Sequence, residues 1–333
     1  MLDGSISANP DEKSDAQPAI FWFGDLPDDP TPIAGGKGAS LARMTAANLP
    51  VPPGFIVSAS ALKEFLASEG LSLIENLTAG LDVHDEASLS HASTAICEWI
   101  QLHGMASHIE NAITQAYAEL GRGAEDALVA VRSSGVSEDG EAASFAGQQE
   151  TYLNVSGADT VVTKVRDCWA SFFSPRAMFY RASKGTLADV AMAVVVQEMV
   201  QAEKSGVMFT VDPIEKRRSC LVIEAVFGLG EGLVSGTITP DHHVVHREDG
   251  SIVNEFIAMK PIALVWNGAT RKTMEIELDD AKANSRVLSG EELDSLRQLG
   301  LKLEEYFGKP QDVEWCIAGG QLMLLQSRPI TTI

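Results

Sequence analysis

The chain closes on two alternating runs joined at a pair of glycines, Asp312-Val-Glu314-Trp-Cys-Ile-Ala-Gly-Gly-Gln-Leu-Met-Leu-Leu-Gln326-Ser-Arg328-Pro329. A period of two on either side of a Gly-Gly step specifies a β-hairpin. Successive side chains of a strand point to opposite faces, so Asp312 and Glu314 share one side of the first strand, and Gln326 and Arg328 share one side of the second. The loop decides whether those two sides coincide. A two-residue Gly319-Gly320 turn sets Glu314 opposite Leu325 and scatters the polar groups; a three-residue loop ending at Gln321 sets Glu314 opposite Gln326 and Asp312 opposite Arg328. The expectation is the three-residue loop, which gathers two carboxylates, an amide oxygen and a guanidinium on one side of an otherwise apolar hairpin. Hard oxygen ligands beside a cation suit a Mg²⁺-bound polyphosphate. Standing alone, the same residues describe an exposed charged face equally well.

With 333 residues the chain is long enough for two packed lobes or one large α/β domain. Its 46 acidic and 25 basic residues give a formal charge of −21, which argues against binding nucleic acid or an anionic membrane through the net field. Cys97, Cys168, Cys220 and Cys316 are far apart and form no C-x-x-C pair, so neither a zinc site nor a disulfide framework is expected, and a reducing cytoplasm fits best. The polar, acidic opening from Met1 to Pro18 reads as a disordered tail rather than a signal peptide, and no apolar run reaches the ~20 residues that span a bilayer.

Along the chain, Gly35-Gly36-Lys37-Gly38 reads as a Gly-rich turn feeding an apolar-periodic helix, a geometry that offers backbone N–H groups to an anion. Its spacing is neither that of a P-loop nor that of a dinucleotide fold. Residues 60–121 read as packing helices. Ala127 to Val131 is a short apolar strand that delivers Arg132 and two hydroxyls into a small-residue loop, Gly135 to Gly147, suited to clamping and covering a phosphate. Taken alone, Arg132 is more simply a surface ion-pair residue. Residues 148–154 read as a strand and 161–182 as one helix. The second half changes to short apolar runs separated by Gly, Pro and Asp, a largely antiparallel sheet at 192–200, 206–211, 221–227, 242–246 and 252–258. A Gly-rich loop spans Gly228 to Gly236. A helix from Ser289 to Phe307, begun by a cap at Ser289 with Glu291 and Glu292, leads into the hairpin. The lobe boundary is placed near Leu187, giving a tail at 1–18, an N-terminal lobe at 19–187 and a C-terminal lobe at 188–333.

The order of these pieces is more specific than any one of them. V-R-S-S-G-V-S-E-D-G-E-A-A-S-F-A-G-Q-Q-E-T-Y-L-N at 131–154 resembles the signature of the ATP-binding domain of phosphoenolpyruvate synthase and pyruvate phosphate dikinase. So do G-G-K-G-A-S-L at 35–41, F-T-V-D-P at 209–213, E-A-V-F-G-L-G-E-G-L-V-S-G at 224–236, and D-V-E-W-C with L-L-Q-S-R-P-I between 312 and 330. The same domain occurs in rifampin phosphotransferase and in the small subunit of phenylphosphate synthase. The resemblance implies an α+β chain with the ATP-grasp fold, its nucleotide held between two lobes. By motif position it implies that Lys37 and Arg132 contact phosphates and that Gln197 and Met199 line the adenine hinge. Glu198 lies between these two, with its side chain directed away from theirs in a regular strand. Glu224 is implied as a polar contact near the ribose or phosphates, Glu314 and Gln326 as Mg²⁺ ligands, and Arg328 as a transition-state cation oriented by Asp312. Gln326 and Arg328 thereby also touch the ATP, and Arg328, Arg132 and Lys37 form the catalytic set. Without the resemblance, Arg328 reads as an ion-pair residue and Gln326 as a buried hydrogen-bonding one.

The resembled enzymes pass the β-phosphoryl group of ATP to a His on a separate swivelling domain, releasing AMP and phosphate. This chain has no T-x-H or T-C-H carrier motif; His84, His91, His103, His108, His242, His243 and His246 all lie in other contexts, with His242 and His243 expected at a strand edge. F-T-V-D-P also runs into Ile-Glu-Lys-Arg-Arg, where relatives often carry a Thr-Gly turn. The expectation is therefore an ATP- and Mg²⁺-dependent phosphotransferase of dikinase type, working with a His-carrier and acceptor-binding domain or subunit that brings the small-molecule substrate. Pyruvate, a phenol and an antibiotic hydroxyl all remain open as acceptors. The alternatives are an ATP-grasp ligase that forms an acylphosphate and releases ADP, and a non-catalytic nucleotide-binding regulatory subunit.

Overall fold

The computed structural model describes residues 17–124, 126–136, 150–187 and 189–331. Strands β1 (Ile20–Trp22), β2 (Gly54–Val57), β3 (Val129–Gly135), β4 (Thr151–Val155) and β5 (Met192–Glu198) form an antiparallel sheet in the order β1-β2-β5-β3-β4. A second antiparallel sheet contains β6 (Lys204–Phe209), β7 (Cys220–Phe227), β8 (Asp241–His246) and β9 (Ile252–Phe256). A separate two-stranded ribbon, β10 (Ile262–Asn267) and β11 (Lys272–Glu277), follows, and β12 (Gln311–Ala318) and β13 (Gln321–Pro329) complete the second sheet in the order β13-β12-β6-β7-β8-β9. The ribbon was not among the expected strands. The sequence-based boundary at 187 puts the hinge strand in the second lobe, whereas β5 is hydrogen-bonded between β2 and β3 in the first sheet. The change of sheet comes at 199–203.

Helices complete the layers: α1 (Thr31–Ala46), α2 (Ala59–Thr78), α3 (Glu86–Leu102), α4 (Ser107–Leu120), α5 (Ala158–Ser171), α6 (Pro175–Ser183), α7 (Glu231–Val234), α8 (Asp280–Ala283) and α9 (Gly290–Phe307). The valine-rich run of β5 is apolar throughout because both of its faces are buried. Val194 and Val196 pack into a core with α2 to α6, while Ala193 and Val195 turn to a second core that α1 and α9 share with both sheets. Trp169, Phe172 and Phe173 fill the first core, as expected for that segment. The single helix expected at 161–182 is two, because Ser174 caps a new one by accepting from the Ala177 N–H, with Pro175 in its first turn. Helix α9 has the expected cap: Ser289 Oγ accepts from Glu292 N, and the Glu292 carboxylate accepts from Ser289 N.

Three further expectations change. Residues 1–16 of the proposed tail lie outside the described residues, but the Pro18 carbonyl accepts from Ser58 Oγ at 3.0 Å and so belongs to the fold. The small-residue loop at 137–149 also lies outside them. His242 and His243 stand in β8, an interior strand between β7 and β9. In the closing hairpin the turn has the two residues Gly319 and Gly320, both at positive φ, rather than three. Glu314 nevertheless faces Gln326, and Asp312 faces Arg328, because a β-bulge at Leu325 shifts the register by one.

Candidate functional site

A cavity of about 320 Å³ opens where the two sheets meet. The first sheet contributes Ala130, Arg132, Thr151, Leu153 and the segment Gln197–Val200; the second contributes Ser205–Val207, Glu314–Cys316 and Leu325. Leu229–Glu231 and Leu233–Ser235 close another side. This last wall was expected as a Gly-rich loop. Its centre is instead the helical turn α7, which sets Leu229 and Leu233 against Val226, Ile238 and Leu264 in a small apolar cluster. The four-residue spacing of those leucines was the available signal.

Arg132 is the central cation of the site. It projects from β3, is 8% exposed, and reaches across to the closing hairpin. Its Nη1 donates to the Leu325 carbonyl at 3.0 Å; its Nη2 donates to Glu314 Oε2 at 3.2 Å and to Gln326 Oε1. Its buried Nε has no partner among the described residues. Glu314 and Gln326 are thus brought together with Arg132, on the hairpin side also occupied by Asp312 and Arg328. Arg328 Nε and Nη2 hold Asp312 Oδ2 at 2.9 and 2.8 Å. Burial raises the Asp312 carboxyl above the ordinary range, outweighing the opposing pull of Arg328.

Gln197, Glu198 and Met199 all contribute to the cavity wall. Gln197 is buried with its Nε2 donating to the Pro52 carbonyl at 3.3 Å, and the backbone N–H groups of Glu198 and Met199 are held by Pro53 and Leu128. Glu224 lies outside the wall but in register with it: across the second sheet, Gln326, Glu314, Val207, Glu224 and His242 stand opposite one another and therefore on one face.

Lys37 is not brought to this wall. It sits in α1 just after a break at Gly35, whose φ of 66° and ψ of 178° turn the expected Gly-rich entry into a kink within a longer helix. The kink seats α1 on β3: Gly38 N donates to Ser134 Oγ at 3.1 Å, and Ser134 Oγ donates to the Ala34 carbonyl at 2.7 Å. Ser40 Oγ donates to the Ser327 carbonyl at 2.6 Å, so the same helix also meets the closing hairpin. One of the amide donors expected to meet an anion is consumed by Ser134. Cys316, which the sequence did not mark, lines the cavity with its thiol pushed up to about 12 by burial.

Among the described residues no three His, Cys, Asp or Glu side chains gather as a metal cage, and no helix is long and apolar enough to cross a membrane. The oxygens of Glu314 and Gln326 form a partial hard-ligand set, of the kind that holds Mg²⁺ together with substrate oxygens and water.

The fold and site define an α+β protein with a part-apolar cavity between two sheets, bounded by a buried guanidinium and by the Glu314 carboxylate paired with it. The chain matches the family described as pyruvate phosphate dikinase, AMP/ATP-binding domain over residues 31–333, and it belongs to that family. It is 48% identical over 317 residues to a probable phosphoenolpyruvate synthase of Archaeoglobus fulgidus, covering 94% of this chain and 42% of that one. A probable phosphoenolpyruvate synthase of Methanocaldococcus jannaschii is 45% identical over 325 residues, covering 96% and 27%. The phosphoenolpyruvate synthase of Pyrococcus furiosus is 40% identical over 357 residues, covering 94% and 44%. The chain therefore spans less than half the length of these relatives.

Proposed function

We propose that the chain is the ATP-binding part of a dikinase-type phosphotransferase with the ATP-grasp fold, holding ATP and Mg²⁺ between its two sheets. The Gln197–Met199 segment and the leucines around α7 take the adenine, and Arg132 meets the phosphates; Lys37, on α1 outside the cavity wall, is not needed for this contact. Glu314 and Gln326 supply two of the metal's oxygen ligands. Arg328, oriented by Asp312, serves as the cation for charge that develops in transfer. The observation that carries this reading is Arg132: a buried guanidinium that joins both sheets at the cavity and keeps one donor unsatisfied suits an anionic ligand.

Bound Mg²⁺ supplies charge neutralisation on the transferring group. The side chains align that group with its acceptor and place fixed positive charge around it, so positioning and electrostatics account for the catalysis. The acceptor is a His on another domain or subunit, which takes the β-phosphoryl group as AMP leaves, while water takes the γ-phosphoryl group as inorganic phosphate; the His then phosphorylates a small-molecule hydroxyl or enol. The relatives' names and the short span of the chain against them support a separate acceptor part.

The test is to incubate the chain with ATP and Mg²⁺, with and without a polypeptide bearing the carrier His, and to resolve the nucleotides. AMP formed only with the carrier is the expected result. ADP as the sole product overturns the dikinase reading and favours an acylphosphate-forming ligase.

A further inference from the structure

Three carboxylates stand on one face of the second sheet, and each has its own basic partner. Asp312 is held by Arg328 at 2.8 Å, Glu314 by Arg132 at 3.2 Å, and Glu224 by His242, whose Nδ1 lies 3.3 Å from Glu224 Oε1. A carboxylate only accepts, so Nδ1–H is the donor in this contact. The first two pairs belong to the site already described; in the third, Glu224 is implied as a nucleotide contact by the resemblance, and His242 is not.

Its place is set by the register. Glu314 pairs with Val207, Val207 with Glu224, and Glu224 with His242, so the pair lies in the row that crosses the metal-side oxygens. Val207 is part of the cavity wall and Glu224 is the next residue of the row beyond it. Two strand spacings, ~10 Å, separate Glu224 from Glu314. That is about the reach from a metal-bound phosphate to the ribose of the same nucleotide. A carboxylate beside a polyanion repels phosphate oxygens but accepts well from hydroxyls, which makes the ribose its suitable partner. Both side chains are about one-third exposed, at 31% for Glu224 and 29% for His242, so the carboxylate keeps a defined direction only where something holds it.

We propose that His242 is a positioning residue for nucleotide selection: it orients Glu224 to accept from the ribose hydroxyls of ATP bound along this sheet face. This inference rests on the proposed nucleotide site. His242 acts through Glu224 and itself touches no reacting atom.

The experiment compares the affinity of the full chain for Mg²⁺·ATP and for the 2′,3′-dideoxy analogue by calorimetry. Wild type should prefer ATP by about tenfold or more, the worth of one hydrogen bond to a charged group. His242→Ala should remove most of that preference while the dideoxy analogue binds as before. His242→Asn, which places an N–H near the Nδ1 position, should restore it, and Glu224→Gln should weaken it. A wild type that binds both nucleotides equally, or an unchanged preference in His242→Ala, overturns the proposal while leaving the nucleotide site in place. ATP binding that is absent, or indifferent to Arg132→Ala, overturns the site reading itself.

Discussion

Leu325 has no partner on β12, and its carbonyl oxygen accepts from Arg132 Nη1 at 3.0 Å. One extra residue in β13 thus does two things. It restores the parity that sets Glu314 across from Gln326 after a two-residue turn, and it provides the backbone acceptor that ties the first sheet's guanidinium to the second sheet.

Arg132 meets acceptors on more than one side, a pattern that a planar fork satisfies and a single ammonium does not. Arg132→Lys should weaken ATP binding by about tenfold, and Arg132→Ala by more, while the alanine variant also loses about 2 kcal/mol of stability as buried acceptors lose their donor. Calorimetric titration and denaturant melts of the three proteins measure both effects.

At Gly35 a side chain has no room. Its φ is +66°, and an added Cβ would lie 2.2 Å from the Ser134 carbonyl oxygen. Gly35→Ala should cost about 3 kcal/mol or more and weaken ATP binding as α1 lifts from β3. Gly24→Ala, where nothing lies within 4 Å, is the matched control and should change the melting temperature little.

Glu304 ties α9 to the end of β6, accepting from Arg247 at 2.8 and 2.9 Å and from Thr210. Burial alone would raise its carboxyl, but the hydrogen bonds from Arg247 and Thr210 more than offset this and hold it below the ordinary value of 4.5. A depressed folded-state value means the stabilisation is complete above 4.5 and is lost as the pH falls through the lower, folded value. Glu304→Gln should therefore be less stable at pH 7 by about 1 kcal/mol, with the gap to wild type closing below pH 4.5. Parallel urea melts at several pH values follow that gap.

Arg328 and Glu314 should separate by readout. Arg328→Ala should lower phosphoryl transfer to the carrier by about a hundredfold or more with a small change in ATP affinity, as expected of a group used mainly in the transition state. Glu314→Gln should raise the Mg²⁺ concentration needed for half-maximal ATP binding. Single-turnover transfer and Mg²⁺ titrations distinguish the two.

Much of this arrangement was legible because alternation survives in sequence. Asp312, Glu314, Gln326 and Arg328 announced a shared face, and the apolar run beginning at Met192 announced a strand. The means of achieving the shared face was not legible: the bulge at Leu325 leaves no local signature, and its carbonyl is held by Arg132, nearly two hundred residues away. β5 was assigned to the wrong side of the lobe boundary because a strand's sheet is decided by its partners, here β2 and β3, and not by its composition. Lys37 was placed by motif alone; the kink at Gly35 and its docking on Ser134 are tertiary facts. His242 carried no local signal, since only the register of β7 with β8 sets it beside Glu224.

The shared second core has a consequence for how the molecule comes apart. The backbone passes from one sheet to the other once, at 199–203, but the side chains do not respect that crossing: Ile56 and Val195 from the first sheet pack with Met208, Val313 and Trp315 from the second. Cutting the chain at the crossing would leave each fragment with its side of this second core open to water. The two sheets are accordingly one cooperative unit, and heat should melt them in a single step.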